Sequence, residues 1–279
     1  MSNDPSSHGL TGVAKTLLTP LYGRAHADRL LPGSGFHDPL AATVLAATGF
    51  RPDEVLTDRS NAVGAVHRAI VFDRLVAAFL RRHPDGVVVS AGVGLCTRDA
   101  RLAGTTPPGV RWIGIDAPEV VELRRRLLPD SAVRLRAGSI TDPDWVDAFP
   151  AEPAPTLVVV EGVLMYLTDR EVARFLADVR ARLGPGAELV ADFFHPWVAR
   201  SGLHPIVRAT GARFRSGARG ARGLASVTPG WTATAEYPVM ERIGTPQRIA
   251  AALLRVVLRG HRPYAVADLR TAAREPRHV

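Results

Sequence analysis

The amino-acid sequence predicts a doubly wound α/β fold with a mostly parallel, seven-stranded sheet and a helical extension at the N-terminus. Two observations carry this prediction. From Val87 onward, short apolar runs alternate with helical patterns, as in chains that build parallel sheets. Before that point the chain has helical character between turn-rich breaks. We therefore expect one structural domain, with residues 1–83 as a helical N-terminal region and residues 84–279 as the α/β core.

The N-terminal region is predicted to be mostly helical from about Thr11 to His83. Two segments rich in glycine and proline interrupt it, at Leu31–Gly35 and Gly49–Asp53. Because glycine and proline favour turns over helix interiors, we expect the helices of this region to be separated at these two segments.

Seven segments of the core are predicted to be strands, because each is a short, mainly apolar run. Five alternate with helices, and two weaker ones surround a helix at about Pro246–Leu258. Parallel sheets of this kind bind ligands at the carboxyl ends of their strands. The predicted strands are Val87–Ser90, Arg111–Ile115, Val133–Ala137, Thr156–Glu161, Ala187–Phe194, Trp231–Tyr237 and Tyr264–Leu269.

The helix between the fourth and fifth strands is the best defined in the sequence. Thr168 and Glu171 have the spacing of a capping box, which satisfies backbone N–H groups at a helix start. Gly184 and Pro185 end the helix. Between these signals an apolar stripe at helical spacing predicts the buried face, formed by Val172, Phe175, Leu176, Val179 and Leu183.

A glycine-rich turn follows the first strand and contains Gly92 and Gly94. The second strand ends near Asp116, and a helix starts at Pro118. Glycines give a ligand room to approach, and a carboxylate at the next strand end takes ribose hydroxyls, so this pattern indicates a nucleoside site. The third glycine of a dinucleotide fingerprint would fall at Thr97, and its absence argues against NAD or FAD.

Glu161 ends the strongly apolar fourth strand, which predicts that it lies at the same sheet edge as Gly92 and Asp116. An ionised side chain at such a position needs a partner or a ligand. A salt bridge to one of the many arginines is the alternative to a ligand for Glu161. For Asp116 the alternative is that its charge favours the start of the following helix.

Composition argues against several function classes. The net charge is +8, but the basic residues other than Lys15 are arginines and no aromatic–basic motif accompanies them, so we expect no nucleic-acid partner. No run of eighteen apolar residues is present, so we expect no membrane span. The single cysteine, Cys96, favours a reducing cytoplasm. Metal-site spacings and the G-x-S-x-G motif of hydrolases are also absent from the sequence.

Two histidines and a basic segment are candidates for the acceptor side of a site. His195 and His204 flank a proline-containing stretch after the fifth strand, although packing or surface roles are more common for such residues. The segment Gly211–Gly223 is rich in arginine and glycine, with few apolar anchors. We expect it to be a mobile loop or lid that attracts an anionic small-molecule acceptor.

Several segments form an ordered set between Leu17 and His195. The core segments are VVVSAGVGLCTRDARL, WIGIDAPEVVELRRRLLP, AGSITDPDWVDAF and VVVEGVLMYLTDREVARFL. Upstream of them lie LYGRAHADRL, FHDPLA and VHRAIVFDRLVAAFL. Together these segments resemble the leucine carboxyl methyltransferase superfamily, in particular the bacterial branch typified by a tetracenomycin polyketide O-methyltransferase.

The resemblance implies a class I S-adenosylmethionine-dependent methyltransferase with a Rossmann-like core. Arg68 would hold the methionine carboxylate of the cofactor, Glu161 would bind its methionine end, and Asp116 would take its ribose hydroxyls. Relatives usually read G-x-G-L-D-T-R, whereas Cys96 stands here in place of the aspartate. The resemblance also places Arg24, Gly92 and Gly94 beside the cofactor, Ser139 and Ile140 at the adenine, and Tyr166 facing the acceptor.

The resulting functional hypothesis is methyl transfer to an oxygen of a small secondary metabolite such as a polyketide. We favour a carboxylate, because it is ionised at neutral pH and no histidine sits in a motif strong enough to be a general base. Three alternatives stay open. They are methylation of a phenolic hydroxyl with a base such as His195, methylation of a protein's C-terminal carboxylate, and a non-catalytic partner that retains the fold.

Overall fold

A seven-stranded sheet forms the centre of the chain in a computed structural model that describes residues 17–49, 59–201 and 213–272. The strands are β1 (Val87–Ala91), β2 (Arg111–Asp116), β3 (Val133–Ala137), β4 (Thr156–Val160), β5 (Glu188–Phe194), β6 (Trp231–Pro238) and β7 (Tyr264–Thr271). The central strands β1, β4 and β5 are short apolar runs that are almost entirely buried, whereas the edge strands β3 and β6 are mostly half-buried.

The strand order is β3-β2-β1-β4-β5-β7-β6. β1 pairs in parallel with β2 and β4, so Val88 lies beside both Trp112 and Leu157. β1 to β5 are parallel, and β7 runs antiparallel between β5 and β6. The order reverses between β1 and β4, and a crevice at the carboxyl ends of the strands is expected at such a switch point.

The helices cover both faces of this sheet. None of the helices in the described ranges is both long and apolar enough to cross a membrane. Their bounds are α1 (Leu18–Ala25), α2 (Ala27–Leu30), α3 (Pro39–Ala47), α4 (Arg59–Arg82), α5 (Arg98–Arg101), α6 (Pro118–Leu127), α7 (Asp169–Leu183), α8 (Pro196–Arg200), α9 (Gly220–Ala225), α10 (Met240–Ile243) and α11 (Thr245–Val257).

Two apolar layers follow from the alternation of side chains along the strands. Val87 and Val89 of β1 point to the layer that contains α7 and α9. Val88 points to the opposite layer, where α4 packs through Phe72 and Phe79. The long helix α4 therefore rests on the sheet, and its Arg68 side chain reaches Glu161 at the end of β4.

The predicted elements are confirmed to within one or two residues. All seven strands are present, and the predicted helix at Pro246–Leu258 is α11. Thr168 and Glu171 form the expected capping box at the start of α7. The break at Leu31–Gly35 separates α2 from α3. Of the other predicted segments, residues 11–16 and most of Gly49–Asp53 lie outside the described residues.

The prediction of a mobile lid at Gly211–Gly223 is wrong for residues 213–223, the described part of that segment. Phe214, Ala218 and Ala221 are buried there, and α9 begins at Gly220. The backbone N–H of Ala218 donates to the carbonyl of Phe194 over 2.9 Å. Small residues allow this close packing against the end of β5, which a search for large apolar anchors does not detect.

The packing of α7 gives a direct test of the core. Phe175 is 1% exposed, and its ring stacks on Trp145 with 5.0 Å between the centroids. We expect Phe175→Ala to lower the free energy of unfolding by about 3–5 kcal/mol, because it leaves a cavity in a close-packed layer. Urea unfolding with an unchanged m value measures this loss.

Arg174→Ala on the same helix is the matched control. The Arg174 side chain is 55% exposed and lies 3.7 Å from Asp178. Its removal should cost less than about 1 kcal/mol, the range for an exposed ion pair. Equal effects of the two substitutions would contradict the described packing of α7.

Candidate active site

A cavity of about 560 Å³ opens at the carboxyl ends of β1 and β4. Its inner end is charged, with Arg68, Arg98 and Glu161 in the wall. The rest of the wall is largely apolar and aromatic, and it comes from α4, α8, α10 and α11. The cavity therefore joins a polar site at the sheet edge to an apolar chamber.

The turn after β1 is shaped by two glycines with positive φ, 79° at Gly92 and 50° at Gly94. A Cβ atom at Gly92 would overlap the side chain of Val163, so glycine is required there for steric as well as conformational reasons. The backbone N–H of Gly94 donates to Asp116 Oδ2 over 2.7 Å, and that of Ala117 donates to Oδ1 over 2.9 Å. Asp116 thus fixes the turn to the end of β2.

Glu161 lies at the end of β4 between two guanidinium groups. Arg68 Nε donates to its Oε1 over 3.0 Å, and Arg98 Nη2 donates to its Oε2 over 2.6 Å. Burial by itself would raise the pKa of this carboxyl, but Arg98 and Arg68 lower it to about 2. Glu161 is therefore a carboxylate at neutral pH, with lone pairs left on both oxygens for a further donor.

Arg68 also binds Asp192 and Tyr264, which the sequence analysis missed. Its Nη1 donates to Asp192 Oδ2 over 3.1 Å and to the Tyr264 hydroxyl over 3.2 Å. The Tyr264 hydroxyl in turn donates to Asp192 Oδ2 over 2.7 Å. Burial and the neighbouring Asp192 hold the pKa of Tyr264 well above its usual value, although Arg68 opposes this. The available signal was an aspartate inside the apolar run ELVADFF.

A second group of charged side chains, centred on Asp38, stabilises the glycine-rich turn after β1. Asp38, fully buried, accepts from Arg24 Nε over 3.2 Å, from Arg101 Nη1 over 2.7 Å and from the Thr97 hydroxyl over 2.6 Å. Arg24 Nη2 donates to the carbonyl of Leu95 over 2.8 Å. Arg24, predicted beside the cofactor, does line the cavity, but these contacts show that it also fixes the glycine-rich turn.

Aromatic rings form one wall of the outer chamber. Phe214 stacks on Phe194 with 4.9 Å between centroids, and Phe194 stacks on Tyr264 at 4.2 Å. Tyr166, the predicted acceptor-facing residue, meets Phe214 edge to face at 5.4 Å and lines the cavity. Trp197 is 52% exposed and also belongs to the lining, so it lies where the chamber meets solvent.

Several predicted site residues lie along the same sheet edge but outside the cavity wall. Asp116, Ser139 and Ile140 follow β2 and β3 and do not line the cavity. The backbone N–H of Ser139 donates to Asp142 Oδ2 over 2.7 Å, and Ile140 is buried. The structure thus brings together Arg24, Arg68, Gly92, Gly94, Glu161 and Tyr166 in one wall, and it places the other three beyond it.

Of the two histidine candidates, the structure describes His195, which does not line the chamber. His195 caps α8, where its Nδ1 accepts from the backbone N–H of Trp197 over 3.2 Å. Burial lowers the pKa of His195, as do His261, which stacks on it, and Arg219. Because its ring is used in this cap and does not line the cavity, the acceptor-side prediction for His195 is not supported. His204 lies outside the described residues.

Cys96 lines the cavity, in the position where relatives usually have an aspartate. The same turn receives Arg124, a fully buried side chain that donates to the carbonyls of Gly94 (3.1 Å) and Cys96 (2.5 Å). The turn is therefore held by arginine contacts to its backbone, and these contacts do not depend on the side chain at position 96. In the ranges that the structure covers, no group of three or more His, Cys, Asp or Glu residues is placed to hold a metal ion.

Comparison with known proteins gives a consistent family. The model of the family described as leucine carboxyl methyltransferase matches residues 20–180. The tetracenomycin polyketide synthesis O-methyltransferase TcmP of Streptomyces glaucescens is 35% identical over 223 residues, which are 79% of this chain and 81% of that protein. The S-adenosyl-L-methionine-dependent methyltransferase dpfgK of Gibberella zeae is 31% identical over 181 residues, 60% of each chain.

Solved structures support the fold. A duf574 family protein from Streptomyces avermitilis covers 90% of this chain and 97% of its own, with a TM-score of 0.55. The two sequences are only 14% identical, so this likeness concerns architecture alone. It agrees with the seven-stranded Rossmann-like sheet described above.

The arginine contacts of Glu161 predict a pH dependence of stability. Folding lowers the pKa of Glu161 from 4.5 to about 2, so the ionised carboxylate stabilises the folded chain fully above pH 4.5. This contribution is lost as the pH falls from 4.5 towards 2. It amounts to about 3 kcal/mol, because one pKa unit corresponds to about 1.4 kcal/mol.

Glu161→Gln removes this titration while keeping the shape of the side chain. The difference in unfolding free energy between wild type and variant should therefore be largest above pH 5 and shrink by about 3 kcal/mol towards pH 2. Denaturant unfolding of both proteins across this range measures it. A difference that is constant with pH would contradict the ion pairs described for Glu161.

Proposed function

Because the chain belongs to the leucine carboxyl methyltransferase family and is an S-adenosylmethionine-dependent O-methyltransferase, we propose that its acceptor is a carboxylate on a small aromatic metabolite. The observation that carries this proposal is the pairing of a charged inner end with an aromatic chamber whose described residues offer no free base. Since a similar protein acts in tetracenomycin polyketide synthesis, we propose the polyketide class for the metabolite.

The charged groups at the inner end fit the amino-acid part of the cofactor. S-adenosylmethionine supplies a methyl group on a positively charged sulfur, and it carries an ammonium, a carboxylate and an adenosine without phosphate. In the proposal, Glu161 accepts from the ammonium through lone pairs that its arginines leave open. Arg68 Nη2, which makes no hydrogen bond to the described residues, donates to the carboxylate.

The adenosine part is proposed to extend along the sheet edge. Asp116 lies at the end of β2, next to the glycine-rich turn, and takes the ribose hydroxyls. Ser139 and Ile140 follow β3 and flank the adenine. Gly92 and Gly94 keep the turn free of side chains between these two ends of the cofactor.

The lack of a base among the described residues of the wall favours an acceptor that is already ionised. Among the described residues, Glu161 is the one carboxylate that lines the cavity, and no histidine does. Glu161, with a pKa of about 2 and two guanidinium partners, does not take a proton at neutral pH. A carboxylic acid, with a pKa near 4, needs no base, whereas a phenol near 10 does.

The proposed reaction needs positioning more than acid–base chemistry. The sulfur–methyl bond breaks as the carboxylate oxygen bonds the same methyl carbon, both formal charges disappear, and no proton moves. An apolar chamber that excludes water favours this loss of charge and keeps the reacting atoms in line. The rings of Phe194, Phe214 and Tyr166 supply such a surface for a planar acceptor.

The cofactor assignment predicts a specific loss of affinity. Asp116→Asn should weaken binding of S-adenosylhomocysteine by about 2–4 kcal/mol, the scale for losing one charged partner in a buried hydrogen-bonded pair. Arg219→Ala is the control, because Arg219 is exposed and does not line the cavity. Isothermal titration calorimetry measures both. Equal affinities for wild type and Asp116→Asn would place the ribose elsewhere.

The acceptor assignment is tested with two planar probes, anthraquinone-2-carboxylate and 2-hydroxyanthraquinone. We expect transfer of labelled methyl from S-adenosylmethionine to the carboxylate, giving an ester that mild base hydrolyses. Its kcat should be flat from about pH 6 to 9, because no protein group must be deprotonated. Preferential formation of a base-stable ether from the phenol, with a rate that rises with pH, would refute the carboxylate proposal.

A further inference from the structure

Asn61, on the first turn of α4, lies in the wall of the outer chamber, and its side-chain amide carries a hydrogen-bond donor that the described residues leave unused. The amide nitrogen Nδ2 is buried and has no hydrogen-bond partner among the residues that the structure describes. A buried amide donor without a partner is costly in a folded protein, and such groups are uncommon. A half turn about the last side-chain torsion exchanges the two amide heads, so the N–H₂ group can face the cavity without movement of the helix.

The position of Asn61 separates it from the cofactor end. It precedes Arg68 by seven residues, which are two helical turns, so the two side chains share one face of α4 about 10 Å apart along the axis. Near Asn61 the wall is formed by α10 and α11, through residues such as Met240, Ile243 and Leu254. This part of the wall is mainly apolar, so a polar donor there has a strong orienting effect.

Neighbouring polar groups do not satisfy Asn61. Gln247 of α11 also lines this part of the cavity, but its Nε2 donates to the Ser60 hydroxyl over 2.8 Å. Gly64, one turn after Ser60, lies against Ile243, which brings α4 and α10 close together. The packing of α4 on α10 and α11 therefore fixes the backbone at Asn61, and the side-chain amide is available to form a hydrogen bond with a ligand in the chamber.

We propose that Asn61 selects acceptors that carry a second oxygen, a ring carbonyl, by donating a hydrogen bond to it. The inference rests on the proposed function, since it assumes a planar aromatic carboxylate in the chamber. In this proposal the carboxylate lies at the cofactor end, the rings lie against Phe194 and Phe214, and the opposite edge of the acceptor reaches Asn61 on α4. A carbonyl there satisfies the Asn61 donor, whereas an unsubstituted ring leaves the donor unpaired and buried.

The test compares two carboxylates that differ in their ring carbonyls, anthraquinone-2-carboxylate and anthracene-2-carboxylate. Dissociation constants are measured by fluorescence in the presence of S-adenosylhomocysteine. For each protein we compare the ratio of the two dissociation constants. Relative to wild type, Asn61→Leu should shift this ratio about tenfold in favour of anthracene-2-carboxylate, which is the scale of one lost hydrogen bond and its unpaired donor. Arg74→Ala, at an exposed position of α4, should keep the wild-type ratio.

Asn61→Asp is a second variant, and its ratio of dissociation constants tests the proposal independently of Asn61→Leu. A carboxylate accepts hydrogen bonds and repels a carbonyl oxygen, so this variant should favour the anthracene probe even more strongly than Asn61→Leu. The affinity for S-adenosylhomocysteine should stay within twofold of wild type in both variants.

Three results would overturn the proposal. One is an unchanged ratio in Asn61→Leu and Asn61→Asp. Another is a loss of S-adenosylhomocysteine affinity in either variant, which would assign Asn61 to the cofactor. The third is that wild type binds neither probe while it binds S-adenosylhomocysteine normally. This result would refute the aromatic acceptor of the proposed function and with it this inference.

Discussion

The buried guanidinium of Arg68 is the interaction on which the site and much of the surrounding fold depend. It joins α4 to the ends of three strands, through Glu161 after β4, Asp192 in β5 and Tyr264 in β7. Asp192 also accepts from the backbone N–H of Gly162 over 2.7 Å, which ties the turn after β4 to the same group. Removing Glu161 or Asp192 would take one of two negative charges away from this buried guanidinium, which is far more costly than losing an exposed pair.

This network also gives the arginine-rich composition a structural meaning. The excess of arginine over lysine resembles a coding bias, yet Arg24, Arg98, Arg101 and Arg124 are all almost fully buried. Each makes two or more hydrogen bonds to carboxylates, hydroxyls or backbone carbonyls around the glycine-rich turn. A guanidinium presents five donors in a rigid plane, so it can fix several acceptors at once, which the single ammonium of lysine cannot do in the same geometry.

Sequence patterns predicted the sheet and the inner end of the site because both follow from local rules. The apolar run before Gly92 and the carboxylates that end β2 and β4 are read directly from neighbouring residues. Asp192, Tyr264 and Asp38 were missed because their roles depend on contacts between residues distant in sequence. The prediction of a mobile lid at Gly211–Gly223 is wrong for residues 213–223 for a related reason. Alanine and glycine pack closely there without an apolar periodicity that the sequence would reveal. The apolar chamber is equally non-local, because it needs α4, α8, α10 and α11 together.

The antiparallel direction of β7 affects when the binding site is complete. β7 lies between β5 and β6 although it follows both in sequence, so β6 has no neighbour in the sheet until β7 enters. Because β7 runs against the parallel strands, its first residue, Tyr264, reaches the ligand edge and stacks on Phe194, about seventy residues earlier in the chain. During synthesis, β1 to β5 can pair before this strand leaves the ribosome. The aromatic wall and the last contact of Arg68 form only afterwards, so a nascent chain that has already paired β1 to β5 still lacks the complete cavity.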